Sequence, residues 1–200
     1  MQTALCKLLG IDVPIIQAPM AGAVGPAIAA AVSNAGGLGM LVLWRADLET
    51  VRGQIRETRS LTRRPFGVNL NLEFPQEERL AVCLDEGVPI ISFFWRDPAA
   101  LVPRAKAANA IVLHTVGTAE AARRAVACGV DVVVAQGWEA GGHVRATVAT
   151  LPAARSGRCR RSIPHPRGCR GWDRRRPRPC GGPRARSIGR MDWNAVSRKP

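Results

Sequence analysis

Six short apolar runs recur along the first 138 residues at intervals of about 20 to 28, separated by alanine-rich segments that carry most of the charges. The runs are residues 15–19, 38–43, 66–72, 89–95, 110–116 and 131–137, and they are apolar nearly throughout rather than alternating. Strands of that kind are covered on both faces, as parallel strands are. The segments between them predict helices near 26–35, 47–61, 76–86, 98–108 and 118–128, with Gly87 and Gly129 standing where helices stop. The pattern is therefore βα repeated. A doubly wound nucleotide-binding sheet carries a glycine fingerprint directly after its first strand, whereas the first run here ends in QAPMAG. A closed barrel needs eight strands and about 250 residues. The expected fold is thus an α/β, incomplete TIM (β/α)8-type barrel of about six βα units.

Charge divides the chain sharply. Residues 1–150 hold 14 Lys/Arg against 13 Asp/Glu, while the last fifty hold 15 Lys/Arg and only Asp173 and Asp192. After residue 152 both periodicities vanish, and no apolar run is long enough to build a strand. We therefore divide the chain into a truncated barrel domain, 1–152, and a disordered Arg/Pro-rich tail, 153–200. The tail's Arg, Pro, Gly, Ala and Cys content is that of a GC-rich gene read out of frame, and we read it so. A basic nucleic-acid-binding tail and a functionless appendage are the alternatives; aromatic interleaving, which single-strand binding uses, is limited to Trp172 and Trp193.

The six cysteines form no CxxC pair, so no metal site is expected and reduced thiols in the cytoplasm are the default. Residues 13–44 carry no charge, but Pro14, Pro19, Pro26 and Gly36–Gly37 break them into strand, helix and strand, so no membrane span is expected.

In such barrels, side chains meet ligands at the carboxyl ends of the strands. There the sequence places Gln17 to Gly22, Asn69, His114–Thr115 and Gln136–Gly137, polar groups ending greasy strands. Each has a structural alternative: Asn69 could cap a turn, Gln136 could bond backbone, and His114 could be a satisfied core histidine. Glu139-Ala140-Gly141-Gly142-His143 is the sharpest element. Adjacent glycines let backbone N–H groups approach an anion, and a neighbouring histidine can exchange a proton near neutral pH.

IIQAPMAG, AAAVSNAGGLG at 29–39, FGVNL at 66–70 and VVVAQGWEAGGH at 132–143 together resemble the successive signatures of the nitronate monooxygenase (2-nitropropane dioxygenase) family. The resemblance covers residues 5–151 and implies an FMN-binding TIM barrel that oxidises alkyl nitronates or nitroalkanes with O2. It implies that Ala18, Pro19 and Met20 border the isoalloxazine, that Asn69 and Gln136 contact the flavin, and that Gly141 and Gly142 approach its phosphate. His143 matches the catalytic base.

A similar family, the flavin-dependent enoyl-acyl-carrier-protein reductases, shares SNAGGLG and a GGH loop and is the alternative enzyme. A nonenzymatic fragment with a nucleic-acid-binding tail is the alternative of another class. Ala146 stands where the family usually has glycine. The family's later glycine loops find no counterpart in strand context after residue 152, so weak or absent FMN binding is expected of the chain.

Overall fold

The computed structural model describes residues 2–146; the expected boundary at residue 152 and the basic stretch beyond it lie outside them. Five strands form one sheet: β1 (Gly39–Val42), β2 (Phe66–Asn71), β3 (Ile90–Phe94), β4 (Ile111–Val116) and β5 (Val132–Ala135). All are parallel, and their spatial order is their order in the chain. A doubly wound sheet reverses its order at a switch point. This one does not, so the winding is that of a barrel wall.

The first predicted strand, 15–19, is reduced to a single parallel bridge between Ile16 and Leu38. The Gln17 N–H donates to the Leu38 carbonyl (2.9 Å) and the Leu38 N–H to that of Ile15 (2.9 Å). Pro14 and Pro19 on either side have no N–H with which to extend the ladder. The buried Gln17 amide supplies a further link, its Nε2 donating to the Met40 carbonyl (3.3 Å).

Helices α2 (Pro26–Asn34), α3 (Leu48–Leu61), α4 (Glu77–Asp85), α5 (Val102–Ala107) and α6 (Ala119–Ala127) fall within the predicted segments. Apolar spacing explains α3: Val51, Ile55 and Thr58 are buried on one stripe, and Asp47 caps the start by accepting from the Thr50 N–H at 2.8 Å. Helix α5 starts four residues later than expected, because Pro98 and Leu101 form a separate turn ahead of it. A short helix not anticipated, α1 (Ala4–Leu9), is capped by Thr3 and closed by left-handed Gly10. Glu86 at the end of α4 pairs with Arg52 (2.7 Å) and Arg56 (2.9 Å) of α3; hydrogen bonds from Arg56 and then Arg52 hold its carboxyl below the usual range.

Strand alternation sorts the core into two layers. Leu41, Val68, Ile91 and Val112 face the helices in the larger cluster. Met40, Ile90 and Leu113 face the other way and pack with Cys6, Leu9 and Ile11 from α1 and the segment after it. Ile16 at one edge of the sheet and Val132 at the other pack against this same small cluster, so the sheet is curled around α1. Among the described residues no helix is long and apolar enough to cross a membrane.

Candidate active site

Because every strand is parallel, their carboxyl ends gather on one rim, opposite the end that α1 plugs. Ala18, Pro19 and Met20 leave the first edge of the sheet there, all three exposed. Asn69 sits on the concave face of β2, only 3% exposed. A buried amide needs partners: its Nδ2 donates to the Ser92 carbonyl (3.3 Å) and hydroxyl (3.2 Å) on β3. Its Oδ1 is left without a protein donor among the described residues. Thus Asn69 is neither a turn cap nor self-satisfied; it presents an acceptor above the apolar cluster.

The rim is completed by the segment after β5. Gln136 is followed by a turn of 3-10 helix, Trp138–Ala140, and then by Gly141 and Gly142 with φ of 74° and 63°. These left-handed values favour glycine. Among the described residues, no atom beyond each glycine's chain neighbours lies within 4 Å of where its Cβ would stand, so on the described side the backbone is open to a ligand. His143 follows, exposed. The Gln136 side chain folds back over this loop: Nε2 donates to the His143 carbonyl (3.1 Å), and Oε1 accepts from the Arg145 N–H (2.9 Å). In the described structure, both ends of its amide therefore hold the loop.

His114 stands apart from Asn69 and the glycines, in a pocket that the Arg145 side chain also lines. It faces the helix side of β4, 3% exposed, with Nδ1 donating to the Phe93 carbonyl at 3.2 Å. Burial pushes its pKa down to about 4, against the raising effect of that hydrogen bond. It is the neutral core histidine that the structural alternative described. A cavity of about 250 Å³ lined by Arg59, Arg63, Arg64, Phe66 and Pro89 lies at the amino ends of β2 and β3, the wrong end for the candidate site. Its arginines complement the negative carboxyl end of α3.

Sequence reasoning passed over Ser92, Trp95, Gly117 and Arg145, which fix Asn69 and the histidine loop. A serine inside IISFF was the one legible signal.

A sequentially wound parallel sheet, curled on an apolar plug and carrying polar groups and a glycine–histidine loop on its carboxyl rim, defines an α/β-barrel protein, a fold that binds its ligands at that rim. The nitronate monooxygenase family model matches residues 2–79 and 71–155. The chain belongs to that family, whose members are flavin oxidoreductases. It is 38% identical to a nitronate monooxygenase of Paraburkholderia phytofirmans, with 70% of this chain and 49% of that protein covered. It is 34% identical to the (3aS,4S,5R,7aS)-5-hydroxy-7a-methyl-1-oxo-octahydro-1H-indene-4-carboxyl-CoA dehydrogenase of Mycobacterium tuberculosis, covering 76% of this chain and 43% of the other. Among solved structures, FabK from Thermotoga maritima superposes with a TM-score of 0.74 at 35% identity, over 78% of this chain and 51% of that one. The chain thus spans about half the length of the relatives it matches.

Proposed function

We propose that residues 1–152 carry the base-bearing portion of an FMN-dependent nitronate monooxygenase that takes small nitroalkanes or their nitronates together with O2. The observation that carries this reading is the loop itself: two left-handed glycines with open backbone, then an exposed histidine, fastened to a rim whose floor offers the Asn69 Oδ1.

These residues fit a flavin. Gly141 and Gly142 leave room for the backbone to approach a phosphate, and Asn69 has a free acceptor for a polar ring edge. Ala18, Pro19 and Met20 supply an exposed segment across the mouth for the ring to lie against. Bound there, FMN supplies a two-electron acceptor that reoxidises with O2.

His143 takes the proton from the carbon bearing the nitro group. The imidazole keeps that proton while the substrate's charge moves onto the nitro oxygens, and Gln136 holds the backbone carbonyl of the same residue. A preformed nitronate has already lost the proton, so it bypasses the base. With FMN added in excess, His143→Ala should slow O2 uptake on a neutral nitroalkane by about 10²-fold or more and affect the preformed nitronate far less. Equal losses on both substrates would remove the base assignment; no O2 uptake by the wild-type protein on either would remove the function.

The mycobacterial relative named for a CoA thioester supports a second reading, an oxidoreductase of acyl thioesters. Reduction of an enoyl thioester by NAD(P)H, without nitronate turnover, would favour it.

A further inference from the structure

The loop that presents His143 has little packing of its own: Gly141, Gly142 and His143 are all exposed, and among the described residues none beyond their chain neighbours borders the two glycines on the side a Cβ would occupy. What fixes it lies just beyond. The Arg145 N–H and the His143 carbonyl are both held by Gln136. Ala146 is buried against Gly117 at the end of β4, where a Cβ would stand 3.0 Å from both its N and its Cα. The Arg145 side chain donates through Nη1 to the Trp95 carbonyl. Since Trp95 follows β3 and Arg145 follows β5, that contact spans the end of β4. Trp95 itself has φ 75°, the left-handed region a tryptophan avoids. Such a conformation persists where its surroundings over-determine it, and such residues cluster at functional sites.

We propose that Arg145 is a positioning residue, a latch from the β5 loop to the end of β3 that holds the backbone on which His143 stands. The guanidinium suits this role because its charged fork makes a strong hydrogen bond to a carbonyl while the long stem crosses the intervening strand end. The catalytic consequence rests on the base role of His143 proposed above. Misplacing a reacting group by about 1 Å can cost about 10²-fold in rate, so the latch acts on turnover rather than on substrate affinity.

The test uses the full chain as wild type, Arg145→Ala and Arg145→Lys. Amide hydrogen exchange of 141–146 is measured beside that of β2 and β3, and kcat and KM for a nitroalkane are measured with FMN present. In Arg145→Ala, exchange of the loop amides should rise about tenfold or more while that of β2 and β3 stays unchanged; kcat should fall with KM within about twofold. Arg145→Lys, which keeps a cationic donor, should recover part of both. Loop exchange unchanged in Arg145→Ala overturns the latch, and faster exchange with unchanged kcat overturns its catalytic role. If the wild type turns over no nitroalkane, the function reading fails instead, and exchange alone decides whether Arg145 holds the loop.

Discussion

Two histidines of this chain stand in opposite surroundings. His143 is exposed on a loop, whereas His114 is sealed between β4 and α6, where burial keeps it neutral with a pKa of about 4. In the unfolded chain it returns to the ordinary 6.5. Between those values the unfolded chain takes up a proton that the folded one refuses. The stabilisation is thus complete above pH 6.5 and is lost as pH falls toward 4, by about 3 kcal/mol at about 1.4 kcal/mol per unit. Urea unfolding at pH 7.5 and 4.5 should show a steeper loss for the wild type than for His114→Asn, which keeps a donor for the Phe93 carbonyl but cannot titrate. Parallel losses would contradict it. At this scale the places of His143, Asn69 and the glycine pair near the carboxyl ends of strands were legible in the sequence, because a polar or glycine residue ending an apolar run marks the strand's end. That Gln136 could bond backbone was legible, but its partners, the His143 carbonyl and the Arg145 N–H, were not: they come within reach only once two left-handed glycines fold the chain back.

Helix α2 and strand β1 show how an element's position can hang on one missing methyl group. A Cβ on Gly39 would stand 1.9 Å from the backbone oxygen of Ala29, so only glycine lets α2 lie this close to the sheet. The same approach lets the Ser33 hydroxyl accept from the Gly39 N–H (3.1 Å) while donating to the Pro65 carbonyl (2.9 Å). Gly39→Ala should therefore cost at least about 1–3 kcal/mol by forcing the two elements apart. Gly53→Ala, at an exposed position in α3 with nothing near its Cβ, should stabilise by about 0.5–1 kcal/mol. Paired denaturation curves check both, and a loss no larger at residue 39 than at residue 53 would sink the packing argument. Five of the six predicted strands and all five predicted helices were readable from apolar period and stop signals. Two things escaped. Prolines leave the segment at 15–19 a single bridge, and α1 is too short for a helical period to register.

For the molecule as a whole, the curl of the sheet depends on what it wraps around. Leu9 of α1 is buried in the concave cluster that reaches from Met40 to Val132, while its neighbour Leu8 is 44% exposed. Leu9→Ala should cost about 2–5 kcal/mol, whereas Leu8→Ala should stay within about 0.5 kcal/mol. Similar losses for the two in thermal or urea unfolding would mean that α1 is not a plug. A further consequence should appear for Leu9→Ala, because flattening the sheet separates its first edge, which carries Ala18 to Met20, from its last, which carries the histidine loop.

Sequence alone determined the alternation of strands and helices, the parallel sense of the sheet and the rim on which the polar groups gather, because apolar period and strand-end polarity are written over a few consecutive residues. The tertiary structure decided that the sheet winds in order around α1, that Asn69 leans on Ser92, and that Arg145 reaches Trp95, fifty residues away in the chain. Those contacts follow from side-chain reach across neighbouring strands, and no local pattern records which distant backbone carbonyl an arginine will find.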